Sequence, residues 1–523
     1  MHRLLLATAS ALAIASAASA ATPPNMLVIG TDVGAIPTLD PAALNARTPS
    51  EVMANFYDNL VKLNWDDMVT VRPMLAESWD ISPDGRKITF KLRKDAKFAS
   101  GNPITAEDVA WSLQRVVKIK LVGATDIALW GFTADNVDRA IRAEGDTVVI
   151  ETPDKVSPEL VLYSLAGASV GIVDRKVALE HEQGGDLARE WLKANSAGSG
   201  PYRLNQWRPN DILIAERNDD YYGGKPAMQR VVMRNITESG ALRLQIEQDD
   251  VDVGHYLNSS DLDVLAKNKD MVIENTPGFG FYYIGLNMQD EILSKPKVRE
   301  AFKYLLDWEA LAKSTMTFAG FPHQSIIPKG MPGSTEESFY KYDPQKAKAL
   351  LAEAGYPNGF KKKLYPAGPG LHSQNVELLQ ASAKAAGVEL EIVPGRHTEA
   401  FRDRKFEVYM GNSGAKMPDP FATLTHYAYN PDNRNEAKLG SYYMWRTSWD
   451  MPEFTKMVDQ SKSESDPAKR AEIFAKLDKL YRDDNPPLIV FFQRTDPYVI
   501  RSNVEGYHGH PTWSTRWDAT TKK

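Results

Sequence analysis

Residues 71 to 110 show the clearest alternation of apolar and polar positions in the chain. From residue 87 to residue 92 polar and apolar side chains alternate, which is the period of a strand with one buried face: Lys87, Ile88, Thr89, Phe90, Lys91 and Leu92. Pro83-Asp84-Gly85 provides a turn before this strand. Thr105 stands three residues before Asp108, the spacing of a capping box, and a segment with one apolar face follows, formed by Val109, Leu113 and Val116. The pattern predicts a β-hairpin that leads into a helix.

Three further helices are predicted from apolar periodicity and capping residues. One begins at about Pro296 and places Val298, Ala301, Phe302, Leu305 and Leu306 on one face. Another begins at Asp343-Pro344, with Asp343 as the N-cap, and ends at Gly355. The third runs from Pro467 to Arg482 behind Asp466. Strands and helices follow one another in no strict alternation, which favours several α/β domains with insertions.

Two short apolar segments have the pattern of buried strands that cross between lobes. Residues 281–287, FYYIGLN, lead into the second half of the chain, and residues 487–492, PLIVFF, lead out of it. Two crossings let two lobes hinge together, and a ligand is expected in the cleft between them.

The composition is that of a soluble globular protein, with 43% apolar and 25% charged residues. A chain of 523 residues is too long for one core and predicts two or three domains. The net charge of -6 favours no polyanionic partner, so nucleic acid binding is not expected. Because the chain has no cysteine, it has no disulfide framework and no cysteine for a lipid anchor.

The first twenty residues have the pattern of a cleavable secretory signal peptide. Arg3 precedes an uncharged run from Leu4 to Ala15, and Ala18-Ser19-Ala20 resembles a cleavage site. The apolar run falls short of the ~20 residues that span a bilayer. We therefore predict removal of residues 1–20 and a periplasmic location without a lipid anchor.

Motifs for catalysis or metal binding are weak. Residues 167–171, GASVG, fit the G-x-S-x-G pattern of a hydrolase nucleophile elbow, but that elbow needs a strand before it and a helix after it, and here a helix-like stretch precedes. His508 and His510 could place two imidazoles on a metal, but no third ligand is evident. No catalytic residue, metal site or cofactor is predicted.

Four segments resemble, in order, the sequence signatures of one protein family. They are Leu39-Asp40-Pro41, residues 71–110, residues 198–226 and residues 342–360. The last, YDPQKAKALLAEAGYPNGF, nearly repeats the family's DPEKAKALLAEAGYPDG segment. Over nearly all of its mature length the chain resembles the peptide/nickel/opine-type solute-binding proteins of ABC importers (family 5, cluster C), a class of large bacterial periplasmic binding proteins.

The resemblance implies an α/β fold of the type II periplasmic-binding-protein kind, with two lobes, an additional inserted domain and a hinge of two crossing strands. Lobe I would combine residues 21–60, 196–283 and 489–523, residues 61–195 would form the additional domain, and residues 284–488 would form lobe II. The expected protein is a monomer, not an enzyme, that encloses a short or modified peptide or another small organic solute and delivers it to an inner-membrane ABC permease.

One segment departs from the family in a way that bears on the ligand. The family's second lobe carries a stretch like GWGADYPDP, whose first Asp holds the α-amino group of bound peptides; here residues 412–420 read NSGAKMPDP, with Lys416 in place of that Asp. An ammonium repels a ligand ammonium. We hypothesise that the ligand presents an anionic or strongly hydrogen-bond-accepting group to Lys416, with Asn412 and Ser413 as neutral partners. The alternative is that Lys416 points to solvent or pairs with an acid such as Asp419.

Aromatic residues in the last quarter of the chain are expected to line one wall of the cleft, although about half of them belong in cores on general grounds: Tyr409, Trp445, Trp449, Phe491, Phe492, Trp513 and Trp517. The predicted ligand contacts are Lys416, Asn412, Ser413, Tyr409, Trp445, Phe491, Tyr283 and Ala35.

Several alternatives stay open. Opine-like conjugates, sugar acids and other small anions follow peptides closely because of Lys416, whereas nickel is disfavoured because Phe421 stands where nickel-binding relatives are expected to carry His. A secreted hydrolase and a chaperone or sensor partner on the same scaffold are the alternatives from other classes.

Overall fold

The computed structural model describes residues 22–44, 46–64, 67, 69–121, 123, 127, 130–337, 339–414 and 417–523. The predicted signal peptide and Lys416 lie outside the described residues. The strands are β1 Met26–Thr31, β2 Val61–Leu63, β3 Val71–Pro73, β4 Ala76–Ile81, β5 Lys87–Leu92, β6 Ile141–Glu144, β7 Thr147–Glu151, β8 Tyr202–Arg208, β9 Ile212–Arg217, β10 Arg230–Asn235, β11 Val253–His255, β12 Met271–Leu286, β13 Gly320–Pro322, β14 Phe360–Pro366, β15 Val388–Ile392, β16 Val408–Asn412, β17 Leu488–Arg501, β18 Val504–Glu505 and β19 Thr521–Lys522. The α-helices are Arg47–Phe56, Ala106–Ile119, Val137–Ala140, Pro158–Leu165, Arg175–Glu180, Arg189–Leu192, Ser239–Glu247, Ser259–Leu265, Pro296–Phe302, Trp308–Ala312, Pro344–Glu353, Leu371–Lys384, Thr398–Arg402, Pro420–Tyr427, Tyr443–Arg446, Pro452–Ser463 and Pro467–Asp483.

One large sheet runs through the described part of the chain in the order β15-β14-β16-β12-β17-β11-β1-β10-β9-β8, with β13 paired to β17. Strands β12 and β17 pair antiparallel from Met271 opposite Arg501 to Gly285 opposite Leu488. The C-terminal end of β12 also pairs with β16, whereas the C-terminal end of β17 pairs with β11. The two long central strands therefore hold together two groups of flanking strands. They contain all but one end residue of each crossing segment predicted at residues 281–287 and 487–492, and they are longer than predicted.

A second sheet, of antiparallel strands in the order β4-β5-β7-β6, lies in the segment predicted as the additional domain. The predicted hairpin is confirmed, because β4 pairs with β5 and the side chains of Ile88, Phe90 and Leu92 are buried. The predicted capping box is also confirmed at helix Ala106–Ile119, where Thr105 and Asp108 each accept from the other's backbone N–H.

The other predicted helices are confirmed with small shifts of their ends. Asp343 caps helix Pro344–Glu353 by accepting from Lys346 N, and Asp466 caps helix Pro467–Asp483 in the same way. The helix at Pro296 ends at Phe302, earlier than predicted, and the following turn still buries Leu305 and Leu306.

The Asp of the Leu39-Asp40-Pro41 motif joins the N-terminal segment to the inserted segment. Its two carboxylate oxygens accept hydrogen bonds from Arg115 Nη1 at 2.9 Å and Nη2 at 2.6 Å, and both side chains are buried. A bidentate, charge-assisted pair fixes both distance and angle between its partners. This motif is therefore part of the framework of the fold.

The G-x-S-x-G segment has the context of a structural turn. Helix Pro158–Leu165 precedes it, and Ser169 lies in the 3-10 turn Ala168–Val170. A nucleophile elbow requires a strand at this place. In the described ranges no helix is long and apolar enough to cross a membrane.

Candidate ligand-binding cleft

The pairing of β12 with β17 is interrupted at the middle of the large sheet. Pro277 is opposite Thr495 but Phe281 is opposite Gln493, so β12 carries extra residues here. Buried Gln493 holds the irregular segment, because its amide donates to Gly278 O at 2.8 Å and its carbonyl accepts from Lys329 N at 2.7 Å. A bulge bends a strand and ends regular pairing locally. The two groups of flanking strands meet at this bulge. A hinge between them would act here.

Segment 412–414 lies against the bulge. Ser413 N donates to Phe281 O at 2.8 Å, and Phe281 N donates to Ser413 Oγ at 3.1 Å. The same hydroxyl lies 2.9 Å from the hydroxyl of Tyr427. Ser413 is thus buried and engaged with protein groups, and its role in the described structure is to fix the backbone of this segment.

Asn412 has a different environment from its neighbour. Its strand β16 pairs it with Tyr282, and Tyr282 pairs on its other side with Phe492 of β17. Directly paired residues point to the same face of a sheet, and so does Arg494, two positions beyond Phe492. Asn412 is half-buried, and its side-chain amide has no hydrogen-bond partner among the described residues.

Among the described residues, Arg494 is the charged residue that contacts segment 412–414. Its Nη1 donates to Ser413 O and its Nη2 to Asp496 Oδ1, both at 3.4 Å. Burial raises the pKa of the Tyr282 phenol, and the nearby guanidinium of Arg494 opposes that rise. The ring of Tyr282 lies 6.3 Å from the ring of His372, at the start of helix Leu371–Lys384. Tyr282, Arg494 and His372 therefore face one space.

Asp496 connects Arg494 to the N-terminal part of the chain. Besides Arg494, Asp496 accepts a hydrogen bond from Trp513 Nε1 at 3.1 Å and lies 3.9 Å from Arg47 Nη1. Arg47 begins helix Arg47–Phe56, and its guanidinium carbon lies 3.8 Å from the ring centroid of Tyr498. Trp513 has a φ of 64°, a left-handed conformation that is uncommon for a bulky residue. One carboxylate is thus shared by two arginines and an indole.

Tyr409 and Tyr283 belong to a cluster of aromatic rings on the opposite face of these strands. Tyr409 is 2% exposed and stacks on Phe401 with ring centroids 4.1 Å apart. Tyr283 lies 6.1 Å from Tyr409 and 5.4 Å from Tyr443. Burial raises the pKa values of all three tyrosines, so their phenols are neutral. The cluster supports β12 and β16 from behind.

The remaining predicted contacts are Phe491, Trp445 and Ala35. Phe491 is 0% exposed and packs against Trp308 and Tyr282. Trp445 donates from Nε1 to Arg434 O at 3.1 Å, and the guanidinium of Arg404 lies 3.7 Å from its ring centroid. Ala35 is half-buried and ends the 3-10 turn Val33–Ala35, near the start of the chain.

Asp419 lies near the end of the sequence segment 412–420, which departs from the family pattern. It is part of a buried ion pair. Its carboxylate accepts from Arg470 Nη1 at 2.6 Å and from Nη2 at 2.9 Å, and it caps helix Pro420–Tyr427 by accepting from Phe421 N at 2.8 Å. Glu159 of helix Pro158–Leu165 lies 3.5 Å from the same guanidinium. The pair therefore anchors the start of helix Pro420–Tyr427 and brings it next to the inserted segment.

The two histidines near the C-terminus do not form a metal site with other described residues. His508 Nδ1 lies 2.7 Å from Glu274 Oε2, whereas His510 Nδ1 accepts from Thr512 N at 3.2 Å. Across the residues that the structure describes, no group of three or more histidine and acidic side chains could hold a metal ion.

The sequence did not point to Arg494, His372, Asp496 or Arg47. Arg494 had a signal that could have found it, because it is the first charged residue after the apolar run of β17. His372 had none, since 122 positions separate residue 372 from residue 494 and only the folding of the chain brings both next to Tyr282.

Comparison with known proteins gives one consistent family. The model of the bacterial extracellular solute-binding proteins, family 5 Middle, matches residues 70–435. A probable D,D-dipeptide-binding periplasmic protein, DdpA of Escherichia coli K12, is 28% identical over 504 residues, which cover 94% of this chain and 93% of that protein.

Solved structures show the same fold. HbpA2 from Haemophilus parasuis superposes with a TM-score of 0.81 at 23% identity and covers 95% of this chain and 100% of its own. The binding protein AgaA in complex with agropinic acid, from A. tumefacien R10, has a TM-score of 0.71 at 24% identity, with 95% and 99% covered. These likenesses confirm the predicted fold class. The matched family model spans well over half of the chain, so the chain belongs to the bacterial extracellular solute-binding proteins of family 5.

Proposed function

We propose that the protein is the periplasmic solute-binding protein of an ABC importer and encloses a small organic solute between two lobes. The observation that carries this proposal is the pair of long strands β12 and β17, which joins two groups of strands through a bulge at Gly278. Such a connection permits closure around a guest, and a ligand favours the closed form by its differential affinity for the two states. Membership of family 5 supports the same role.

The lobes that we propose follow the strand pairing. Residues 21–60, 196–283 and 489–523 form lobe I, residues 284–488 form lobe II, and residues 61–195 form the additional domain. In support, β14 and β16 flank the C-terminal end of β12, and β1 and β11 lie beyond β17. The four-stranded sheet of β4 to β7 belongs to the third unit.

For the ligand we propose a short or modified peptide, with opine-like conjugates and sugar acids as the second class. The relative DdpA is named for D,D-dipeptides, which supports a peptide. Lys416 stands where family members that bind peptides carry an Asp, which supports a ligand with an anionic or hydrogen-bond-accepting group at this position. Asn412 is the predicted contact whose side-chain amide has no hydrogen-bond partner among the described residues, so we propose that it contacts the ligand.

We propose a periplasmic location after removal of residues 1–20, and a monomer that meets an inner-membrane permease. The name of DdpA as a periplasmic protein supports the location. N-terminal sequencing of the exported protein tests the cleavage after Ala20. A mature N-terminus elsewhere than near residue 21, or retention of the first twenty residues, would contradict this part of the proposal.

Ligand screening tests the function. The mature protein is screened by thermal unfolding against peptides, opines and organic acids, since a solute that binds only the native state raises the unfolding temperature by mass action. We expect a binder whose affinity is then measured by calorimetry, a decrease in radius of gyration on binding, and recovery of the intact solute after release.

The same experiment tests the alternative that the protein is a hydrolase. Mass spectrometry of the solute after incubation would reveal cleavage products if the protein were a hydrolase. Product formation that depends on Ser169 would contradict the proposed function, whereas an unchanged solute supports it.

A further inference from the structure

The additional domain, residues 61–195, is fixed firmly to the proposed lobe I. Asp40 of lobe I and Arg115 of the additional domain form a bidentate ion pair whose side chains are 2% and 1% exposed. Across the same boundary, Asp174 N donates to Ala197 O at 2.8 Å. The chain also continues from both ends of the additional domain into lobe I. Removing one partner of such a buried pair is costly, so we expect these two units to move together.

The contact between the additional domain and the proposed lobe II is of a different kind. Ser157 N donates to Lys462 O at 2.7 Å. Glu159 Oε2 lies 3.5 Å from Arg470 Nη1, and the side chain of Glu159 is 34% exposed. Both ends of lobe II, residues 284–488, continue into lobe I, so no chain connection reinforces this contact. It is therefore the weaker of the two interfaces.

Both partners of the backbone bond lie at helix ends. Lys462 is in the last turn of helix Pro452–Ser463, and Ser157 is the N-cap of helix Pro158–Leu165. Carbonyl groups in the last turn of a helix have no partner within that helix and bind water where they are exposed. Water can therefore replace each partner when the two units separate, and the bond can break and form again at a low cost.

Arg470 is held in place by lobe II itself. Its guanidinium binds the carboxylate of Asp419, and its Nε donates to Ser461 O at 2.7 Å. Ser461 directly precedes Lys462, so one side chain both orders the carbonyl that faces Ser157 and presents Nη1 to Glu159. Because these groups are ordered in advance, the contact forms with little loss of conformational entropy.

The turn between β4 and β5 reaches the same corner of lobe II. A β-carbon on Gly85 would lie 3.4 Å from the β-carbon of Ser465 and 3.4 Å from Cγ of Pro158. Ser465 lies between helices Pro452–Ser463 and Pro467–Asp483. The turn and the start of helix Pro158–Leu165 thus meet lobe II side by side. We call the contacts of Gly85, Ser157 and Glu159 with lobe II the latch.

We propose that the latch holds lobe II against the additional domain in the closed protein and separates whenever a solute enters or leaves. This inference rests on the proposed function, since it names a device that controls closure of the same cleft. The latch adds its own free energy to that of the solute in favour of the closed form, so it sets how much closure the solute must supply. Glu159 is a positioning residue in this proposal, because it acts through Arg470 without touching the solute.

The first test needs no solute and follows hydrogen exchange at the amide of Ser157, whose bond crosses the boundary. Loss of a partly exposed charge interaction in Glu159→Gln should speed this exchange by about 2- to 5-fold. Glu151→Gln is the matched control, since Glu151 pairs with Arg142 at 3.3 Å inside the additional domain, and it should leave the exchange of Ser157 unchanged. Equal exchange in wild type and Glu159→Gln would overturn the proposal.

The second test locks the latch with a reversible bond. The chain has no cysteine, and the β-carbons at positions 85 and 465 would be 3.4 Å apart, close to the spacing of about 3.8 Å in disulfides. The double variant Gly85→Cys with Ser465→Cys is compared in its oxidised and reduced forms. The φ of 74° at Gly85 strains a cysteine in both forms alike, so the comparison isolates the lock.

Entry of the dipeptides D-Ala-D-Ala and Met-Leu is followed by stopped-flow tryptophan fluorescence, and the radius of gyration by X-ray scattering. We expect the oxidised form to admit no dipeptide in the time in which the reduced form reaches equilibrium, and a reductant to restore entry. Equal entry in both forms, or failure of the two cysteines to join under mild oxidation, would overturn the proposal.

The outcomes separate the latch from the proposed function. If the reduced form binds neither dipeptide but is larger than the oxidised form by scattering, the latch stands and the proposed peptide ligand fails. If neither dipeptide binds and the two forms are equal in size, the latch fails as well. Dipeptide binding with equal entry in both forms removes the latch and leaves the importer role intact.

Discussion

Replacing Asp419 with Asn tests how the start of helix Pro420–Tyr427 is held in place. Asp419 is 0% exposed, and both its oxygens accept from the guanidinium of Arg470, which is itself buried. Asn keeps the size of the side chain and a carbonyl that can cap helix Pro420–Tyr427. The substitution therefore removes the negative charge and little else.

The cost follows from the environment of the arginine that remains. Removing one partner of a buried pair leaves an uncompensated charge and typically costs about 3–5 kcal/mol. Glu159, 3.5 Å from Arg470 and partly exposed, remains as a second acid and offsets part of this loss. We therefore expect Asp419→Asn to lower the free energy of unfolding by about 3 kcal/mol, at the lower end of the range.

A second substitution separates charge from packing. The double variant Asp419→Asn with Arg470→Met removes the unpaired charge and should recover about half of the lost stability, because an apolar replacement of a buried pair is often nearly neutral. The exposed pair Arg208–Asp211, with 56% and 59% side-chain exposure, is the control, and Asp211→Asn should cost below about 1 kcal/mol.

The assay combines urea unfolding with hydrogen exchange. A chain of several domains can unfold in more than one step, so exchange of the peptides covering residues 408–427 provides the local measurement. We expect these amides to lose protection in Asp419→Asn and to regain it in the double variant. A single variant as stable as wild type, or a double variant less stable than the single one, would refute the assigned role of this ion pair.

Three shorter predictions address other parts of the chain. Burial raises the pKa of Glu51 to about 7, so the folded chain retains a proton that the unfolded chain loses near pH 4.5. Stability should therefore fall as pH rises between these values, by on the order of 3 kcal/mol, and Glu51→Gln should flatten this fall in urea titrations at pH 4.5 and pH 8. A side-chain carbon in Gly280→Ala would overlap Ser413 O, so calorimetry should show weaker solute binding and urea unfolding a loss of about 1–3 kcal/mol, unlike Gly145→Ala at an open turn, where strain alone acts. Ser169→Ala should leave solute affinity and solute integrity unchanged by calorimetry and mass spectrometry, and a large change in either would revive the hydrolase alternative.

Local patterns in the sequence predicted the elements well and the contacts across the cleft poorly. Alternation and capping located β5 and the helix behind Thr105, because those patterns depend on neighbours along the chain. The role of Asp419 was open, since its partner Arg470 lies 51 positions away and only packing brings the two together. Phe491 was predicted at the ligand from its aromatic character; the strand buries its side chain, and an apolar run gives no alternation from which its face could be deduced.

The charged residues around β17 also bear on how a bound solute would favour closure of the two lobes. Arg47 and Trp513 come from the proposed lobe I and meet Asp496, whereas His372 and Asn412 come from the proposed lobe II and meet the space beside Arg494. Arg494 and Asp496 are two positions apart on β17, in the part of that strand that belongs to the proposed lobe I. A solute that contacts both Arg494 and the side chains of the proposed lobe II would make all its contacts only when the lobes hold these groups together, so its binding energy would differ between the open and closed forms and favour closure.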